Sequence, residues 1–277
     1  MRICLIIDKW GWAYDRIAQA LIKFNKSEHS FEVLAAKTDA KKIKRSKADR
    51  FLVMGYQCWE KVDFLPRDRT FVGVHGHHQW DGHKTTPTED VEPSSRLHEF
   101  LQSFRGVNVV SERLLGLFPY STYTPNGVDI HIFRASRIPG RGKRIIVGCA
   151  YNPKHDWRKG VNDFIRPACE LSGAKLSLAP RNRSLCEMPA WYNTIDVYVC
   201  ASSSEGLSLS VLEALACKRL VVSTIPNELP NQLIVSRDID SVAGGIKEAA
   251  TYMHECDLPE EWSWKKRCGA WIDFLVG

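Results

Sequence analysis

The sequence predicts an α/β protein made of two parallel-sheet domains, and three observations point to it. Short apolar runs rich in Val, Ile and Leu recur along the 277 residues, each followed by a loop or a helical period, the order that builds parallel sheets. A turn at Pro125-Asn126-Gly127 divides these runs into two sets. The stretch Val197–Thr224, VYVCASSSEGLSLSVLEALACKRLVVST, shows the repeating unit whole: apolar run, polar loop, helical spacing over Leu209–Lys218, apolar run.

In the first half, the apolar run Ile3–Ile7 is closed by Asp8 and followed by a turn at Gly11. A helix over Asp15–Phe24 then places Ile17, Ala18, Leu21 and Ile22 on one face. Phe31–Ala36, Phe51–Gly55, Thr70–His75 and Val107–Val110 read as further buried strands, with helices over Arg96–Phe104 and Glu112–Phe118. Thr85–Ser95, with Pro87 and Pro93 and no apolar period, reads as a loop. In the second half the strands are Arg144–Ala150, Ala174–Leu178, Val197–Ala201 and Leu220–Thr224. A helix is expected to stop at Arg166, because Pro167 follows; Met188–Thr194 and Ala243–Met253 are also helical. The tail from Glu260 carries Trp264, Cys268, Trp271, Ile272 and Leu275 on one stripe, and such a stripe needs a surface to cover. The expected division is a first domain over 1–128, a second over 129–258, and a terminal helix over 259–277 that crosses back to the first.

Hydrophobic residues at 44% and charged residues at 25% are globular values, and they argue against long disorder. No run is long enough to span a bilayer, and Met1-Arg2 leads straight into a strand rather than a signal peptide, so the expected location is cytoplasmic. The nine cysteines are odd in number and include no Cys-x-x-Cys; Cys4, Cys149 and Cys200 fall in apolar runs, which reads as reduced core thiols. The net charge of +6 is concentrated in Lys37, Lys41, Lys42, Lys44, Arg45, Lys47 and Arg50, with Asp39 and Asp49 among them. Two readings stay open for residues 37–50: a solvated face, or peripheral contact with an anionic surface. With no aromatic residues interleaved, acidic lipid suits the second better than nucleic acid.

Glu205 and Glu213 sit in the loop and helix of the central unit, and the strand ends of such sheets are where ligand crevices open. The amides of Gly206, Leu207, Ser208 and Leu209 fall at the helix N-terminus, where free N–H groups and the helix dipole favour phosphate. Backbone amides for a diphosphate and carboxylates for hydroxyls match a nucleotide sugar. The plainer alternative is that Ser210–Glu213 is a capping box and Glu205 favours a helix start. The cluster His75-Gly76-His77-His78-Gln79-Trp80-Asp81-Gly82-His83 fits a metal site poorly, since ligands should converge from fixed elements. It reads either as a solvated loop or as a catalytic or acceptor region at a strand end.

The segment Glu205-Gly206-Leu207-Ser208-Leu209-Ser210-Val211-Leu212-Glu213 resembles the E-x7-E signature of family 4 glycosyltransferases. Pro125-Asn126-Gly127-Val128-Asp129 followed by Phe133 resembles that family's interdomain linker, and Lys159-Gly160 its Lys-Gly pair. The resemblance implies the GT-B fold: two Rossmann-like domains facing across a cleft, with the C-terminal helix packed on the first. It implies retaining transfer of a sugar from a UDP- or GDP-linked donor to a hydroxyl of a glycan, lipid-linked or other acceptor. No metal and no nucleic-acid partner are expected. By the same resemblance Glu205 and His75 are catalytic, with His77 the fallback for His75. Lys159 and a second base, Lys154 or Arg158, hold the diphosphate; Glu213 takes the ribose; Arg181 lies near the nucleobase. The chain departs from the family in two places. Gly11 is the single glycine of the loop expected under the donor phosphates, and the arginine expected after the first strand of the second domain is absent from Gly148-Cys149-Ala150. Two other classes stay open: an epimerase-like nucleotide-sugar enzyme of the same fold, and a basic membrane- or nucleic-acid-binding module.

Overall fold

The computed structural model describes residues 1–76, 92–136, 144–179, 187–251 and 257–277. His77 and Arg181 lie outside them. The chain forms two compact units, passing from the first to the second after Gly127 and returning to the first after Trp262.

The first unit holds a six-stranded parallel sheet in the order β2-β1-β3-β4-β5-β6. Its strands are β1 (Arg2–Ile7), β2 (Ser30–Ala35), β3 (Arg50–Val53), β4 (Thr70–Val74), β5 (Gly106–Val109) and β6 (Thr122–Tyr123). Leu5 stands opposite Val33 on one side and Leu52 on the other. The five residues Ile3–Ile7 are fully buried, which is why β1 reads as an unbroken apolar run rather than an alternation. Helix α1 (Ala13–Phe24) covers the sheet through Ile17, Ala18 and Leu21. On it packs α10 (Trp264–Val276), whose stripe is buried at Trp264, Cys268, Trp271, Ile272 and Leu275. The Trp271 ring is fully buried and its Nε1 donates to the Pro125 carbonyl at 3.1 Å. Arg50 donates to the Leu275 carbonyl, and Phe274 meets Phe71 edge-on at 4.9 Å. The end of the chain is therefore part of the core of its beginning.

The second unit holds a five-stranded parallel sheet in the order β11-β10-β9-β7-β8. The strands are β7 (Ile146–Cys149), β8 (Lys175–Leu178), β9 (Val197–Cys200), β10 (Leu220–Ser223) and β11 (Gln232–Ile234). Chain order reverses between β7 and β9, the position at which open α/β sheets form a crevice. The helices are α5 (Asp156–Lys159), α6 (Arg166–Ser172), α7 (Met188–Tyr192), α8 (Leu209–Ala216) and α9 (Ile239–Thr251). Val147, Val197, Val199 and Val222 from the sheet meet Ile165, Ala168, Val242 and Ile246 from the helices in one core. Pro167 does not end a helix, as its place in the sequence suggests. A π-helical turn over Val161–Ile165 runs directly into α6, and this widened turn carries the helical backbone past Pro167, which has no N–H to donate to it. The seven cysteines among the described residues are all free and buried. Among the described residues no helix is long and apolar enough to cross a membrane.

Replacing Trp271 by Ala removes a fully buried ring and its hydrogen bond. The expected loss is about 3–5 kcal/mol of unfolding free energy, read from the denaturant midpoint at unchanged slope.

Candidate functional site

The second unit brings its charged groups together at the reversal between β7 and β9. After β7 a 3-10 turn, Pro153–His155, is started by Asn152, whose Oδ1 accepts from the Lys154 amide at 3.1 Å. Helix α5 follows and stops at Gly160, which has φ 63° and ψ 30°. Asp156 Oδ1 then accepts from the amides of Val161 at 3.0 Å and Asn162 at 3.3 Å, fixing the exit. Glycine is required at 160 for two reasons. The left-handed φ disfavours any side chain, and a Cβ would stand 2.9 Å from the Ala201 carbonyl at the end of β9. This close approach sets the last residues of α5 against the loop after β9.

The result is a cluster on one carboxylate oxygen. Glu205 Oε1 takes Arg158 Nη1 at 3.1 Å, the ammonium of Lys159, and the hydroxyl of Ser202 at 2.8 Å. Arg158 Nη1 also donates to the Ser204 carbonyl at 2.9 Å, and the Ser203 amide donates to the Arg158 carbonyl at 2.8 Å. The Glu205 side chain is 14% exposed. Burial by itself raises a carboxyl pKa, but the charges of Lys159 and Arg158 outweigh it and hold Glu205 well below the usual carboxylate range. Close by, Arg158 Nε and the hydroxyls of Ser203 and Ser204 are buried with no hydrogen-bond partner. Such groups mark a place where a polar ligand would be welcome.

Helix α8 opens beside this cluster. Ser208 is its N-cap, with no side-chain cap bond; its hydroxyl instead meets Ser210 Oγ at 2.9 Å. Tyr198 donates to Ser210 Oγ at 2.8 Å and accepts from the Ala150 amide at 3.3 Å, linking the end of β7 to the first turn of α8. Ser210 lies inside the helix rather than at its cap, so the capping-box reading of Ser210–Glu213 fails. Gly206 and Leu207 are buried, Ser208 and Leu209 half-buried, and all four precede or open the helix. Glu213 is 3% exposed and its Oε2 accepts from Tyr192 at 2.9 Å.

Of the two bases left open in the sequence, Arg158 reaches Glu205, whereas Lys154 is exposed on the 3-10 turn and forms no ion pair among the described residues. Sequence reasoning misses Arg237. Its Nε donates to the Ala201 carbonyl at 3.0 Å, and its guanidinium lies 4.4 Å over the Phe164 ring, clamping the loop after β9 to the π-helical turn. No motif marks it, because its worth comes only from that approach.

Gly11 and His75 belong to the first unit. Gly11 has φ 76°, is exposed, and donates its amide to Asp15 Oδ2 at 2.8 Å, a local turn before α1. His75 ends β4, with its ring folded back over Gly73 and flanked by Tyr14 at 5.0 Å and Trp271 at 5.9 Å. Its Nε2 has no hydrogen-bond partner, and burial pushes its pKa down to about 3, so the imidazole is neutral. Asp8, closing β1, likewise has an unpartnered Oδ1, and burial raises its pKa.

Residues 145–251, within the second unit, match the family model described as Glycosyl transferases group 1. Solved structures extend the likeness over both units. The chain superposes on sucrose-phosphate synthase from Thermosynechococcus elongatus with a TM-score of 0.62 at 12% identity, covering 99% of this chain and 96% of that one. The catalytic domain of starch synthase IV from Arabidopsis thaliana gives 0.64 at 10% identity, with 99% and 98% covered. TarM from S. aureus gives 0.59 at 16% identity over 87% of this chain, which spans 58% of TarM. At these identities what is shared is the fold, the two Rossmann-like domains of the GT-B architecture. No curated protein matches in sequence.

The sign of the His75 effect follows from its pKa. With the folded value near 3 and the ordinary value near 6.5, protons favour the unfolded chain between them. Stability should fall as pH drops through that window, by at most about 1.4 kcal/mol per pH unit from this group. His75→Gln should lose less stability than wild type between pH 6.5 and 4, measured by urea unfolding.

Proposed function

We propose that the chain transfers a sugar from a nucleotide-sugar donor to a hydroxyl acceptor, with retention at the anomeric carbon. One observation carries this reading: Arg158 and Lys159 converge on Glu205 at the strand-order reversal, beside the opening of α8. The Glu205 carboxylate offsets only one of the two positive charges, so the cluster keeps a net charge of +1. A diphosphate entering there offers them a stronger anion, and the amides of Gly206–Leu209 add to its field. Glu205 is then released toward the hydroxyls of the donor sugar.

In the reaction the bond between the anomeric carbon and the diphosphate oxygen breaks, and its electron pair leaves with the nucleoside diphosphate. Arg158 and Lys159 stabilise the charge that gathers there, which lowers the barrier without requiring a metal. The acceptor oxygen bonds to the same face of the anomeric carbon, and its proton passes to the leaving phosphate. Glu205 stabilises the positive charge on the sugar. Glu213, oriented by Tyr192, takes a ribose hydroxyl. The TarM structure is a complex with UDP and that of starch synthase IV one with ADP. The base therefore has to be found by experiment, UDP and GDP conjugates being the first choices.

The test is a thermal-shift panel of UDP, GDP, ADP, CMP and their sugar conjugates, with and without EDTA. A ligand at a hundred times its Kd should stabilise wild type by about 2.7 kcal/mol, a rise of a few degrees, unaffected by EDTA. Lys159→Ala should lose most of that shift. Glu205→Gln should keep binding but lose about 100-fold or more in kcat once an acceptor is in hand. If no nucleotide shifts the wild type, the proposal fails.

A further inference from the structure

The first unit carries a second charged surface, along the helix that covers the β2 edge of its sheet. Helix α2 (Ala40–Arg45) connects β2 to β3 and is anchored by Ile43, its single buried residue. Lys37, Lys41, Lys44, Arg45 and Lys47 around it are exposed and form no ion pair among the described residues. The nearby acids are engaged elsewhere. Asp39 accepts from the Ala35 amide at 3.0 Å and pairs with Lys42, Glu32 accepts from the Ser46 hydroxyl, and Asp49 accepts from the Arg2 amide at 2.7 Å. These carboxylates keep their charge, but the six bases Lys37, Lys41, Lys42, Lys44, Arg45 and Lys47 outnumber the three acids, so the face is net positive.

Two further features shape it. A recess of about 500 Å³ opens beside α2, lined by Arg2, Ser30, Glu32, Lys42, Arg45 and Lys47 among others. Phe64 is 41% exposed, and the Lys44 ammonium lies 6.0 Å from its ring centroid. An exposed aromatic side chain among bases suits the headgroup level of a bilayer, with the ring dipping below and the charges meeting phosphates. It does not suit nucleic acid, whose bases need an open stacking face, since the ammonium already lies over the ring of Phe64. Arg2 opens β1 and Lys47 precedes β3, so the recess lies at the other end of the sheet from Asp8 and His75, which follow β1 and β4.

We propose that this face docks the protein on a bilayer of anionic phospholipid, with one lipid phosphate in the recess bounded by Arg2, Lys42, Arg45 and Lys47. The experiment is flotation of the full chain with vesicles of phosphatidylcholine alone or mixed with phosphatidylglycerol, at low and at physiological salt. Binding should require the anionic lipid and weaken as salt rises. The combined variant Lys41→Glu, Lys44→Glu, Arg45→Glu, Lys47→Glu should lower partitioning by roughly 100-fold or more, with its thermal midpoint kept as evidence of folding. Phe64→Ser, which leaves every charge in place, should lower it several-fold. Equal binding to neutral vesicles, or no change on charge reversal, would overturn the proposal. So would tighter binding of a single-stranded oligonucleotide than of anionic vesicles at the same salt, which would assign the face to nucleic acid.

Discussion

The second unit is arranged around a single backbone approach, that of Gly160 to the Ala201 carbonyl. Because the chain can pass there only without a side chain, α5 ends against β9, and Arg158 and Lys159 come within reach of Glu205. The arrangement would be unfavourable if the two cations were left unpaired. It holds because the Glu205 carboxylate offsets one of the two positive charges, leaving the cluster a net +1, with Ser202 and the Ser204 carbonyl completing the hydrogen bonds. Arg237 reinforces it from behind by binding the same Ala201 carbonyl.

That pairing also prepares the site. A group of fixed cations held by an internal anion is already oriented and partly desolvated, so an incoming anion need only displace the carboxylate. The buried, unpartnered atoms Arg158 Nε, Ser203 Oγ and Ser204 Oγ belong to the same loops, and they have more to gain from a polar ligand than from the empty protein.

Much of the fold was legible because its central strands are buried on both faces: β1, β3, β4, β9 and β10 each appear as unbroken apolar runs. β6 and β11 were missed, being two and three residues long and too short to show a period. Pro167 reads as a helix stop in the sequence because the π-helical turn that carries the helix past it leaves no mark there. The choice between Lys154 and Arg158 could not be made from spacing, since it depends on how a 3-10 turn passes into α5. Glu205 and Glu213 were legible as a pair, but not the fact that one would be held by cations and the other by Tyr192. The neutrality of His75 was out of reach as well, because part of its enclosure, Trp271, comes from the far end of the chain.

The packing of α10 on α1 bears on the birth of the molecule. A ribosome delivers α1 early, yet the helix that covers it emerges only after all of Val128–Trp262 has been made. Val128–Trp262 is complete before α10 exists, whereas the first unit must wait with one flank of α1 uncovered. Order of synthesis and order of completion are therefore inverted, and the nascent first unit is the part with most need of a chaperone.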